Sequence, residues 1–182
     1  MPLARSGTTS QGAGVTHLPL EPDNPFWRFS LAVYAAPGVQ PACLALQDGH
    51  GLDVNLALFC AWIGARRGIA LTGAEIEAAG LLVAAWRETA VLPLRTLRRA
   101  IKAMPLPADP AIGTFRQRIA AAELEAEQLQ QAMLFRWAEA CWPGARGSGQ
   151  AAANLRGLAS RHGAADDAIT LLAETAERVS AP

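Results

Sequence analysis

Apolar residues recur three and four positions apart along most of this chain, the spacing of one face of an α-helix. The first such run follows Asn24-Pro25, where Asn24 is suited to cap a helix and Pro25 to fill its first position. Phe26, Phe29 and Val33 then share a face, with Trp27, Leu31 and Tyr34 beside it, and Pro37-Gly38 ends the segment. A second, short helix is expected from Pro41 to Asp48, stopped by Gly49, His50 and Gly51. Asp53 is a good cap for a third, since its carboxylate can take the amide of Asn55 or Leu56. Leu56, Phe59, Cys60 and Ile63 make its apolar stripe, flanked by Leu58 and Trp62. Arg66 and Arg67 meet the negative end of that helix, and Gly68 supplies a left-handed cap.

The sharpest start lies at Thr72, which forms a capping box with Glu75 while Leu71 and Ile76 hold the staple positions. That helix should run through Trp86 towards Ala90. Pro93 lacks an amide hydrogen and disfavours helix at Leu92, so a break or kink is expected there. A further helix covers Leu94 to Ala103. After a linker with Pro105, Pro107 and Pro110, the pair Asp109-Pro110 repeats the cap-then-proline signal. The helix it opens should be the longest, about residues 110–141. Ile112, Phe115, Ile119, Ala122, Ala126, Leu129 and Met133 form an a/d seam over three heptads. So long a helix outruns a small domain, so it should either kink or pack in part on another chain.

These patterns imply an all-α protein, an irregular bundle of five or six helices with one long helix near 110–141. No strand pattern or internal repeat interrupts them. The expected organisation is a disordered tail over 1–22, a helical domain over 23–141, a linker over 142–149 and an Ala-rich, weakly helical extension over 150–182. That extension has two segments split by His162-Gly163 and is expected to be loosely attached.

Composition supports the helical reading: 51% of residues are hydrophobic but only 6% aromatic, so Ala and Leu dominate. Sixteen basic residues balance sixteen acidic ones, which gives no whole-molecule attraction to nucleic acid or anionic lipid. Neither is expected as a partner. The three cysteines, Cys43, Cys60 and Cys141, form no CxxC pair, and a reducing cytoplasm is the expected compartment. The first 22 residues hold no apolar run of signal-peptide length, and no stretch is expected to span a membrane.

Candidate chemistry is sparse. His17 lies in the tail, and His50 and His162 each precede a glycine at a helix end, where capping is the expected role. HExxH and ExxH motifs are absent, so no metal and no cofactor is expected, and no catalytic residue is assigned. The cysteines sit in apolar surroundings without a neighbouring base. Glycine-rich 144–149 lacks the Lys-Ser/Thr ending of a phosphate loop. Asp166-Asp167 reads as a helix start. The five tryptophans, Trp27, Trp62, Trp86, Trp137 and Trp142, are spread over different helices as core anchors.

Two polar constellations stand out. Arg95, Arg98, Arg99 and Lys102 share one helical face, opposite Leu94, Leu97, Ile101 and Met104. Glu123 and Glu127 share a face with Arg116 and Gln130. The two helices follow each other across a short linker, so an antiparallel, salt-bridged match is expected. The leading functional expectation is a non-enzymatic protein–protein interaction or adaptor module, associating with itself or a protein partner through the 112–133 seam or the basic face. The alternative is a small-molecule-binding protein or enzyme with a pocket between helices, lined by Asn55, Arg87, Arg95, Glu123 and Glu127. That alternative requires those groups to meet around a cavity.

Particular residues also carry a resemblance. They are Asn24-Pro25-Phe26-Trp27-Arg28-Phe29-Ser30, Cys43-Leu44, Leu46-Gln47-Asp48, Asp53-Val54-Asn55-Leu56, Phe59-Cys60 and Trp62. Trp86-Arg87, Pro93-Leu94-Arg95, Leu97-Arg98-Arg99, Glu123-Leu124, Ala126-Glu127 and Gln130 complete the set. The stretch from Asn24 to about Gln131 thereby resembles a family of small bacterial proteins described as a domain of unknown function. The resemblance implies no activity.

Overall fold

A computed structural model describes residues 19–105, 107, 109–163 and 166–180. Most of the expected N-terminal tail, His17 included, lies outside these residues. The described chain is all-α: α1 (Pro25–Tyr34), α2 (Val39–His50), α3 (Val54–Arg66), α4 (Gly73–Trp86), α5 (Leu92–Ala103), α6 (Pro110–Cys141), α7 (Ala151–Ala159) and α8 (Asp166–Ser180). Among the described residues no strand forms, apart from an isolated bridge between Arg67 and Gly147.

The helix starts follow the side chains that can cap them. Asn24 Oδ1 accepts from Trp27 N at 2.9 Å, and Asp53 Oδ1 accepts from Asn55 N at 2.9 Å. Thr72 and Glu75 close both halves of a capping box. Asp109 Oδ1 accepts from Ala111 N at 2.7 Å. Each bond satisfies an amide that has no partner within its helix. The helix α2 is longer than expected at both ends. Gly38, with φ +81°, lets the chain turn straight into Val39, and Gly49 and His50 stay helical until Gly51 stops it at φ +63°.

At Pro93 the structure neither breaks nor simply kinks. Residues Arg87–Val91 widen into a π-helical turn between α4 and α5, and Leu92 N donates to Arg87 O. The wider turn makes room for a proline ring that would meet the carbonyl four residues earlier in a regular helix.

The core is built around α3, which is apolar all round, so every side is covered. Phe26, Phe59 and Trp62 cluster with ring centroids 5.2–6.2 Å apart, and Phe135 and Trp137 of α6 close against them. Of the tryptophans only Trp62 is buried; the other four are partly exposed at element edges. The indole Nε1 of Trp86 donates to Ala126 O at 2.8 Å.

The C-terminal segments differ most from expectation. Leu155, Leu158, Ile169, Leu172 and Ala176 are buried in the same core cluster as Phe26 and Phe59. Loose attachment therefore does not hold: α7 lies along α3, and α8 covers α1, α2 and α3. Asn154 locks the contact. Its Oδ1 accepts from Leu71 N at 2.8 Å, while Nδ2 donates to Cys60 O at 3.1 Å and Ile69 O at 2.9 Å. The segment between α6 and α7, expected as a flexible linker, is held by Gln150 N donating to Gly64 O and by Glu177 receiving Gly149 N. Among the described residues no single helix is long and apolar enough to cross a membrane; α1 and α2 would reach the length only as a pair bent by 99°.

Candidate functional site

The start of α3 brings an unusual run of polar side chains under α6. Leu56, Leu58 and Phe59 carry the apolar packing, but Asn55 is buried among them. Facing it, α6 places Gln130 and Gln131 side by side, both buried, between the core residues Ala126 and Leu134. Burying three amides is unfavourable unless each is hydrogen-bonded. Gln130 Nε2 donates to Asp53 Oδ2 at 2.6 Å, Asn55 Nδ2 donates to Gln130 Oε1 at 3.1 Å, and Gln131 Nε2 donates to Asn55 Oδ1 at 2.8 Å. Arg87, carried on the π-helical turn, approaches the same Asp53 Oδ2 at 3.3 Å.

A second polar layer joins α5 to α6. Arg95 Nε donates to Glu123 Oε1 at 3.1 Å, and its Nη2 donates to Glu127. Arg98 grips Glu123 through Nε and, at 3.3 Å, through Nη2. The expected salt-bridged match between the antiparallel helices is therefore present. It follows from side chains three apart on α5 meeting side chains four apart on α6. Arg95 and Arg98 turn inward to the glutamates, and Arg99 pairs with Asp48 at 2.8 Å. Lys102 stays exposed beside a shallow groove with Arg98, Ile101 and Arg116.

Between these layers and α1 lies a cavity of about 120 Å³. Asn55, Arg95 and Glu127 line it, with Ser30 and Tyr34 of α1, Cys43 of α2 and Gln131 of α6. Arg87 and Glu123 sit one step behind, each bonded to a group that reaches or supports the wall. Leu31, Leu44 and Leu124 form a partly exposed apolar rim. Among the described residues, Ser30 Oγ and Gln131 Oε1 are buried without a hydrogen-bond partner, as are Arg116 Nε and Ser180 Oγ away from this cavity. A larger groove of about 760 Å³ opens elsewhere, beside Arg28, Arg66, Arg67 and Glu139. Its arginines already hold protein oxygens, from Asp23, Val179 and Glu139 respectively.

The electrostatics of the cavity wall are uneven. Burial drives the Glu127 carboxyl above its ordinary value, and Arg95 only partly opposes this. Burial also pushes Glu123 up, but the hydrogen bonds from Arg98 and Arg95 hold it below its ordinary value overall. The Tyr34 phenol is raised, first by burial and then by Cys43 and Glu127. Burial pushes the Cys43 and Cys60 thiols up to about 12, so both are neutral thiols. Among the described residues no three His, Cys, Asp or Glu side chains are placed to hold a metal ion.

Sequence reasoning found Asn55, Arg95 and Glu127 but passed over Ser30, Asp53 and Gln131. Asp53 was legible only as a cap, its second oxygen being free for Gln130. Ser30 and Gln131 did leave a signal, each being a polar residue in register with the buried face of its helix.

A family model described as a protein of unknown function, DUF2390, matches residues 25–134. That segment holds every residue of the cavity and of the two polar layers. No curated protein and no solved structure matches the chain.

Proposed function

The chain belongs to the DUF2390 family, whose function is unknown, and from the geometry of its own side chains we propose that it is a small-molecule-binding protein whose site is the cavity between α1, α2, α3, α5 and α6. One observation carries the reading: of the four buried side-chain atoms without a partner among the described residues, two, Ser30 Oγ and Gln131 Oε1, belong to residues lining that cavity. An unmet buried polar atom costs ~1–3 kcal/mol, so two in one small space favour whatever completes them. The apolar rim and polar floor suit a ligand with an apolar body and a polar head. By comparison with a ~150 Å³ cavity that admits benzene, the enclosed part takes about five non-hydrogen atoms.

The test is a fragment screen by ligand-observed NMR on the full chain, followed by Ser30→Val. The branched side chain fills the floor and removes the hydroxyl, yet adds no unpaired polar atom. Binding of any hit should fall at least about tenfold while the melting temperature stays within a few degrees. Hits that bind the variant unchanged would place the site elsewhere.

A second reading has its own support. Leu97 of α5, Met104 just past its end and Phe115 of α6 are 43%, 51% and 51% exposed on the hairpin these helices form. Single exposed apolar residues are ordinary, but three on one arm suit a protein partner or a second copy. On this reading sedimentation velocity shows a dimer growing with concentration, and Phe115→Ser weakens it. A monomer across the soluble range would sink self-association.

A further inference from the structure

We infer that the cavity selects a neutral hydrogen-bond donor, an N–H or O–H group on a small apolar body, because the buried amide relay ends in it as an acceptor. The inference rests on the small-molecule reading above and specifies the chemistry of that site.

The direction of the relay follows from Asp53. An ionised carboxylate has no hydrogen to give, so it can only accept. Gln130 must turn its Nε2 towards Asp53 Oδ2, at 2.6 Å, which leaves its Oε1 facing Asn55. Asn55 must then present Nδ2 to that oxygen, at 3.1 Å, and so shows Oδ1 to its other neighbour. Gln131 answers with Nε2, at 2.8 Å, and the Oε1 of this cavity-lining residue is left buried and without a partner. No single amide in the row can flip without setting two donors or two acceptors against each other. The polarity at the cavity is thus set three side chains away, at the helix cap. Arg87 Nε lies 3.3 Å from the same Asp53 oxygen and adds a second donor group on that side of the relay.

Charge selects against a cationic head. Asp53, Glu123 and Glu127 stand opposite Arg87, Arg95 and Arg98, so the ion pairs around the floor balance. A cation entering the cavity would lose its hydration without meeting a surplus anion. A neutral donor completes Gln131 Oε1, and the Ser30 hydroxyl, from another residue of the same lining, can give or take a second hydrogen bond.

The cause can be tested separately from the selectivity. Asn caps a helix as well as Asp, so Asp53→Asn should keep α3 intact. The cap bond to Asn55 N fixes the side-chain oxygen of the variant on that amide. Its NH2 group then faces Gln130, and every amide in the row must reverse. The variant therefore ends the relay in an N–H at the cavity wall.

The experiment titrates the full chain with pyrrole, furan and pyrrolidinium, following side-chain amide shifts of Asn55, Gln130 and Gln131. These five-membered rings offer a neutral donor, an acceptor and a cationic donor on nearly the same body. Pyrrole should bind at least about tenfold more tightly than either of the others, the effect of one hydrogen bond in a buried site. In Asp53→Asn the preference of pyrrole over furan should vanish or invert. Equal binding of pyrrole and furan, or tightest binding of pyrrolidinium, would overturn the inference while leaving the pocket in place. Binding of none of the three at these amides would remove the small-molecule site itself. A folded variant that keeps the wild-type preference would show that Asp53 does not set it. Should that variant not fold, the wild-type ratios still decide the selectivity.

Discussion

Gly64→Ala is expected to lower the stability of the protein by about 3 kcal/mol or more, near the top of the range for overpacking a core. The site looks innocuous, a small residue inside a helix where alanine is ordinarily the better former. Here α7 passes directly over it. A Cβ at position 64 would lie 2.6 Å from Ala151 Cα and closer still to Ala151 N and Gln150 C. Those are backbone atoms of the first turn of α7, so no rotamer change can relieve the contact. The same spot holds the hydrogen bond from Gln150 N to Gly64 O at 3.3 Å. Relief requires lifting α7, which would uncover Leu155 and Leu158 and pull Asn154 from Leu71, Cys60 and Ile69. Urea unfolding with tryptophan fluorescence measures the loss, and hydrogen exchange shows whether α7 opens first. Gly80→Ala is the control, because its added Cβ meets only the tip of Leu56 at 3.5 Å. A Gly64→Ala protein as stable as that control would mean that α7 does not pack against Gly64.

That contact also shows where sequence reasoning ends. Caps are local, needing one side chain and an amide two or three residues on. Asn24, Asp53, Thr72 and Asp109 could therefore be read directly, and with them the starts of α1, α3, α4 and α6. The all-α class and the bounds of α6 follow from the same local rules. Docking of α7 is not local. Nothing in the run from Ala151 to Ala159 says that its alanines and leucines face Gly64 and not solvent. The π-helical turn was half legible, since Pro93 announces trouble but not the way the chain absorbs it. The site divides likewise. Arg95, Glu123 and Glu127 could be paired from spacing on adjacent helices, whereas the relay joins Asp53 and Asn55 to residues 75 to 77 positions away. What sequence does show there is a mismatch, polar Ser30, Asn55 and Gln131 in core register, and such mismatches are where function is to be sought.

The two glutamates that share Arg95 should respond to the same substitution in opposite ways. Glu123→Gln is expected to cost about 3 kcal/mol at pH 7, with a fall in melting temperature of about 10 °C. Glu123 is 7% exposed at its side chain and is held by both Arg95 and Arg98. Removing its charge takes from Arg98 the carboxylate it grips and leaves Arg95, itself 13% exposed, with Glu127 alone, whose charge burial disfavours. Glu127→Gln should cost about 1 kcal/mol or less, because Arg95 keeps Glu123 and the Glu127 charge was itself disfavoured by burial. The pH dependence separates the cases further. Glu123 has a folded-state pKa below the ordinary 4.5, so its stabilisation is present above 4.5 and is lost as pH falls through the folded value. The penalty of Glu123→Gln should therefore shrink in acid. Glu127 is shifted above 4.5, so its stabilisation is complete below 4.5 and is lost as pH rises through the folded value. Glu127→Gln should accordingly look worst in acid and improve towards neutral pH, by removing a charge that the cavity wall holds at a cost. Urea melts of both variants and the wild type at pH 7 and below pH 4.5 make the comparison. Equal penalties with the same pH trend would mean that the carboxylates sit in like environments, and the wall would lose the asymmetry that separates its polar floor from its ion-paired back.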